Sequence, residues 1–271
     1  MWTGFVALIT AATTIAGVQI KDLRVPPSVR NGSRPALLDC EYTLKPEELA
    51  ADKYSGLVVK WYFKNSPSPV YQWIPGQKPQ DLGILKGKLD LSHRASDHGA
   101  TMHRALYITN PTTELSGEYK CFVSTFDDED FMTKKMVVFV PERSLDMMQT
   151  KPNLDSVQIT CTARGVYPEP KMALLRGSKK KTNMDGVLVE TVPRRGSYDI
   201  VASKVVQDSD LQTPTVFACE LHIPEAQYSV SKRLVYYPGP PPPTNYNETT
   251  YPHNWMLIVL SIFIGTWRGT A

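Results

Sequence analysis

Two cysteines, Cys40 and Cys121, stand 81 residues apart, with Trp61 between them and Tyr119 two residues before the second. Short β-rich runs at regular spacing, separated by turn signals, surround them, the pattern of a sandwich. A bridge between two such runs pins two sheets face to face. A tryptophan packed on the sulfurs and a tyrosine hydrogen-bonded back to the preceding turn complete a two-sheet sandwich. The run Leu115-Ser116-Gly117-Glu118-Tyr119-Lys120-Cys121 keeps turn, corner and bridge at working distance. Closing a loop of this size stabilises the fold by about 4–5 kcal/mol in the chain-entropy account.

This is the immunoglobulin framework, and the whole chain reads as all-β, two tandem immunoglobulin-like β-sandwiches, variable-type then constant-type. Residues 20–140 form the first. Val25 to Cys40 supplies strands A and B around an Asn31-Gly32 turn, Leu57–Phe63 strand C, and Val70–Ile74 strand C′. Ala105–Ile108 supplies strand E, Tyr119–Thr125 strand F, and Lys134–Val140 strand G. Residues 142–237 form the second, with Cys161 and Cys219 as its pair at the shorter separation of 58. Its framework is degraded: strand C reads Lys171-Met172-Ala173-Leu174-Leu175 without a tryptophan, and Phe217 stands where the corner tyrosine belongs. The expected bridges are Cys40–Cys121 and Cys161–Cys219. Such long-range pairs imply a secretory route.

The ends agree. Residues 1–16 read as a signal peptide: no charged side chain precedes Lys21, and Thr14 and Ala16 place small residues at −3 and −1 of a cut after Ala16. Residues 238–254 open Pro-Gly-Pro-Pro-Pro-Pro and read as an extended stem. Residues 255–271 carry an apolar block from Trp255 to Trp267, expected to act as a hydrophobic C-terminal anchor or anchor signal. As a helix that block reaches about 20 Å, short of the ~30 Å hydrocarbon core, so removal in favour of a lipid anchor competes with a short membrane span and with secretion. Location is the cell surface, extracellular side of the plasma membrane, or the medium.

Strand C and the C′ run carry a resemblance. Tyr54-Ser55-Gly56-Leu57-Val58-Val59-Lys60-Trp61-Tyr62, Val70-Tyr71-Gln72-Trp73-Ile74-Pro75, the Leu115 to Cys121 run and Phe131-x-Thr133 resemble the beaten path family of insect neuronal immunoglobulin proteins, from about Leu23 to Val140. The chain departs from that family in the acidic run Asp127-Asp128-Glu129-Asp130, in the intervening Gly56, in Phe122 where the family commonly has Glu, and in the missing tryptophan of the second domain. The resemblance implies a receptor that binds sidestep-type immunoglobulin ligands in axon guidance and synaptic partner choice. The alternative is a butyrophilin-like immune-regulatory surface ligand, which shares the variable-plus-constant order. The Gly165-Val166-Tyr167-Pro168-Glu169-Pro170 turn gives that alternative weight.

Nothing in the chain assembles a catalytic site, and no cofactor is implied. His93, His98 and His103 are spaced by odd intervals that point successive imidazoles to opposite strand faces, so no shared metal is expected. A net charge of +3 spread over mixed signs offers nothing to nucleic acid. Parity instead locates a binding surface. With Trp61 and Cys121 inward, Lys60, Tyr62, Phe122 and Ser124 point out. Tyr71 and Trp73 share one face of C′ and, set outward, extend an aromatic stripe. These six are the expected ligand-binding residues. The acidic run is expected at the F–G loop, steering a basic partner. Lys179-Lys180-Lys181 with Arg176, Arg194 and Arg195 is a candidate surface for an acidic glycan. Asn31 and Asn247 head glycosylation sequons; Pro111 disqualifies Asn110.

Overall fold

In the computed structural model, residues 17–178 and 180–239 are described. The signal segment, the Pro-rich stem beyond Gly239, Asn247 and the C-terminal apolar block lie outside them. Among the described residues no helix is long and apolar enough to cross a membrane.

The first sandwich begins with β1 (Gln19–Arg24) and β2 (Ser28–Arg30), which belong to different sheets. Pro26 and Pro27 lack the N–H groups a continuous ladder needs, so the chain leaves one sheet after Arg24 and joins the other. The sequence expectation had strand A begin at Val25; it starts six residues earlier and switches sheets. β3 (Ala36–Thr43) follows, then β4 (Val58–Phe63), β5 (Tyr71–Trp73), β6 (Gln80–Asp81), β7 (Leu106–Ile108), β8 (Gly117–Ser124) and β9 (Glu129–Phe139). One sheet runs β1-β3-β7. The other runs β2-β9-β8-β4-β5-β6, with β2 parallel to β9.

The framework residues meet as their spacing requires. Cys40 and Cys121 are joined, and both are fully buried. Trp61 lies opposite Cys121 in the β4–β8 ladder and is fully buried. The Tyr119 hydroxyl donates to the Leu115 carbonyl at 2.8 Å, the tyrosine corner itself. Burial pushes the Tyr119 hydroxyl far above its ordinary pKa, so it stays a donor.

Three inward aromatics anchor the long irregular stretch before β7. Tyr42 donates its hydroxyl to the Ala100 carbonyl, Tyr71 to that of His103 at 2.7 Å, and the Trp61 indole to that of Arg104 at 3.1 Å. Buried phenols and indoles need such partners, and here the partner is a loop with no ladder of its own. The segment between β3 and β4 holds a short helix α1 (Pro46–Ala50), then a left-handed turn. Lys53, Tyr54 and Ser55 have φ of 50°, 52° and 55°, and Gly56 follows at 73°. A left-handed conformation costs roughly 1–2 kcal/mol per non-glycine residue. The turn is held by the Phe126 N–H donating to the Ser55 carbonyl at 2.8 Å and by the Phe126 ring lying on Gly56. A Cβ at Gly56 would come within 2.4 Å of that ring at a φ of 73°, so any other residue there would be strained and would have to displace the exposed Phe126 ring.

On the outside of the smaller sheet, Asp39 receives hydrogen bonds from Arg104 at 2.8 and 3.1 Å and from Arg24 at 2.9 Å. Burial pushes the Asp39 carboxyl up, and the two guanidinium partners more than reverse it, leaving its pKa below the usual value. A depressed folded-state pKa contributes stability that is present above the unfolded carboxylate value near ~3.9 and is lost as pH falls through the folded one. Asp39→Asn is therefore expected to lower stability at pH 7 by about 2–3 kcal/mol. The gap should close below pH ~4 in denaturant titrations run across pH.

The second sandwich comprises β10 (Ser144–Asn153), β11 (Ser156–Val166), β12 (Lys171–Arg176), β13 (Thr182–Asn183), β14 (Leu188–Arg194), β15 (Ser197–Gln207), β16 (Thr215–Ile223) and β17 (Tyr228–Tyr236). Its sheets run β10-β11-β15-β14 and β13-β12-β16-β17. Cys161 and Cys219 are joined, and Leu174 sits opposite Cys219 in the place a tryptophan would take. Phe217 is fully buried and fills the corner volume without a hydroxyl.

The two units meet where β9 ends. Val140 and Tyr167 exchange backbone hydrogen bonds at 2.8 and 3.0 Å, Lys135 pairs with Glu225 at 2.8 Å, and Phe139 packs on Tyr228 at 5.3 Å. Val137 is 4% exposed and packs with the second core rather than the first.

Candidate functional site

Parity on β4 and β8 puts Val59, Trp61, Phe63, Tyr119, Cys121 and Val123 inside, and Lys60, Tyr62, Lys120, Phe122 and Ser124 on the outer face. The ladders then set the rows. Phe131 on β9, Phe122 on β8, Lys60 on β4 and Gln72 on β5 lie side by side. The next row holds Thr133, Lys120 and Tyr62. The Tyr62 and Phe122 rings meet edge to face at 6.3 Å. Lys120 Nζ lies 4.8 Å from the Tyr62 ring centre and 5.6 Å from that of Phe131, so one ammonium ties two rings together and Phe122 joins them through Tyr62. Phe131 is 59% exposed. Half-exposed and exposed aromatics around a cation, on the outer face of a sheet, are the residue types that dominate binding energy at protein interfaces.

Four of the six expected ligand residues, Lys60, Tyr62, Phe122 and Ser124, lie on this face. Tyr71 and Trp73 do not: both are 2% exposed and face the core. The Tyr71 hydroxyl is held by the His103 carbonyl, and Trp73 meets the His103 ring edge on at 5.7 Å. Together they close the sandwich where β7 is too short to do so. Gln72 is the outward residue of β5. Phe131 and Lys120 were missed as site residues, although Phe131 follows from pairing across the β8–β9 hairpin.

The acidic run is split. β8 and β9 extend to Ser124 and Glu129, so only Asp127 and Asp128 lie in the connecting loop, and Glu129 and Asp130 belong to β9. Asp130 is turned to structure, its carboxylate accepting the Ile20 N–H at 2.8 Å. Glu48 ties the neighbouring loop in, accepting the Thr125 hydroxyl at 2.8 Å and the Lys45 N–H at 2.9 Å. Asp127, Asp128 and Glu129 are the acids of the run left exposed to solvent. Neutralising Asp127 and Glu129 is expected to cut the association rate of a basic partner about threefold at low salt with the dissociation rate unchanged. Stopped-flow mixing across ionic strength measures it.

The three histidines have separate duties. His93 stacks on Tyr107 at 4.8 Å, His98 packs near Tyr54, and the His103 ring hydrogen-bonds the His93 carbonyl at 2.8 Å. Among the described residues no cluster of metal-ligand side chains forms. The basic residues of the second domain do not make one surface. Lys179 lies outside the described residues. Lys181 pairs with Glu220 at 2.6 Å on one sheet, while Arg194 pairs with Asp199 at 2.8 Å on the other. Asn31 is exposed beside the end of β9, its N–H bonded to the Phe139 carbonyl, away from the aromatic cluster.

No protein-family model matches the chain. Butyrophilin-like protein 1 of Mus musculus is 24% identical over 197 residues, covering 72% of this chain and 36% of the mouse protein. The crystal structure of bovine butyrophilin matches with a TM-score of 0.61 at 20% identity, over 82% of this chain and 99% of that one. The crystal structure of Rst D1-D2 gives 0.48 at 14% identity, over 81% and 98%. The chain thus spans little more than a third of the curated relative it matches. The butyrophilin likeness shows the fold, two tandem immunoglobulin-like sandwiches.

Proposed function

We propose that this chain is a non-catalytic cell-surface recognition protein whose first domain binds another protein through the outer face of β4, β8 and β9. The carrying observation is the cluster of Tyr62, Phe122 and Phe131 around Lys120, exposed on a sheet with no covering element among the described residues. The junction with the second domain, where Val137 is buried and Lys135 meets Glu225, bounds the face below. The occupant we propose is an immunoglobulin protein on another cell, of the sidestep type, with axon guidance and partner choice as the setting. That rests on the beaten path-like motifs of strands C, C′ and F.

A second reading has its own support. The likeness to butyrophilin-like protein 1 of the mouse favours an immune-regulatory surface ligand using the same face. Screening the full chain against displayed neuronal and immune surface proteins separates the two. Capture of a sidestep-type immunoglobulin protein supports the first reading. Capture confined to immune-cell receptors replaces it with the second, and binding that survives loss of the aromatic cluster removes the face from both.

A further inference from the structure

A second concave surface lies at the loop end of the first domain, away from the aromatic cluster. Three connections border an open cleft of about 1030 Å³: the left-handed turn before β4, the turn after β5, and the loop before β7. This is the size of a built ligand site. Its aromatic wall is Tyr54, Trp73 and His103. Its rim carries Lys53, Lys78 and Arg94, all exposed and none in an ion pair among the described residues. Asp52 is the one acid in the lining, so the cleft is net positive.

Trp73 supplies an independent sign. It is 2% exposed, lines the cleft, and its Nε1 is buried with no hydrogen-bond partner among the described residues. Buried indole N–H groups normally find an acceptor, because leaving one unpaired forfeits its hydration for nothing. The other inward aromatics of this domain that carry a donor, Tyr42, Trp61, Tyr71 and Tyr119, each have one.

We infer that this cleft binds an acidic saccharide, a sugar ring bearing a carboxylate or sulfate. The chemistry is complementary at each point. Cations on the rim match the anion, the half-buried Tyr54 and His103 rings match the apolar face of a sugar ring, and the unpaired Trp73 donor behind them is the group assigned to a sugar oxygen. The acidic-glycan site thus moves from the second domain's dispersed basic residues to the first domain's loop end. The inference stands apart from the protein-binding face, since no residue of the aromatic cluster lines the cleft.

The test uses the purified full chain and four probes: a hexuronate oligosaccharide, a sulfated oligosaccharide without carboxylates, a neutral oligosaccharide of equal length, and an Asp/Glu-rich peptide. Calorimetry is expected to show the acidic sugars binding at least about tenfold tighter than the neutral one, with affinity falling as salt rises. The better of the two acidic arms identifies the anion. Lys78→Glu with Arg94→Glu, both exposed and safe for folding, is expected to abolish binding. Trp73→Phe is expected to weaken it about fivefold while keeping the ring. Tyr62→Ala should leave it unchanged. The inference is overturned if acidic and neutral sugars bind alike, if none binds, if the peptide binds as tightly as the sugars, or if the charge-reversed chain keeps its affinity.

Discussion

Trp61→Ala is expected to remove most of the stability of the first domain. The side chain is fully buried against the bridge, and its indole holds the Arg104 carbonyl at the start of β7. Truncating a buried tryptophan costs about 3–5 kcal/mol through lost contacts and the cavity left behind. The orphaned carbonyl adds about 1 kcal/mol. Against a typical total of about 5–15 kcal/mol, that brings the domain close to its threshold. Denaturant unfolding should show a large fall in midpoint for the first transition and none for the second, because Trp61 touches only the first core. Trp61→Phe keeps much of the volume and should cost clearly less. Equal losses from both variants would mean that the hydrogen bond, not the packing, carries the effect.

Removing both Tyr62 and Phe131 side chains is expected to reduce ligand affinity by about 3–4 kcal/mol, several hundredfold in Kd. Phe131 supplies an exposed ring and Tyr62 a half-exposed one, and both are organised by the same Lys120 ammonium. Because Lys120 bridges them, the two effects should not add: the double substitution is expected to cost less than the sum of the singles. Folding should be untouched, since neither ring enters the core. Lys120→Met, which keeps the stem and removes the charge, should cost about 1 kcal/mol by loosening the cluster. Surface plasmon resonance on the single and double variants gives the cycle directly.

The sequence was informative where one residue fixed the orientation of a whole strand. Trp61 and Cys121 must face the core, so every neighbour on β4 and β8 followed, and Lys60, Tyr62, Phe122 and Ser124 lie outward as parity requires. β5 had no such marker, and its two aromatics were set on the wrong side. The signal was Gln72 between Tyr71 and Trp73: one polar residue flanked by two apolar ones belongs outward on a half-buried strand. What hid it is non-local. The pair faces inward because β7 is only three residues long and the loop before it needs the Tyr71 hydroxyl. Phe131 was legible only with the hairpin register, which the acidic run obscured by resembling a long loop. The left-handed turn at Lys53–Gly56 had no local signal beyond its glycine, since lysine, tyrosine and serine rarely adopt it. It is held by Phe126, distant in sequence.

The most direct test of the central claim, that the outer aromatic face is where this chain is recognised, is hydroxyl-radical footprinting of the full chain with and without its captured ligand. Tyr62, Phe122 and Phe131 are exposed or half-exposed and reactive, so the account predicts that their labelling falls several-fold in the complex. Met148 and Leu188, exposed on the second domain, should label as before. Unchanged labelling of the three aromatics in a saturated complex, with protection appearing on the second domain or on the β1-β3-β7 sheet, would contradict it.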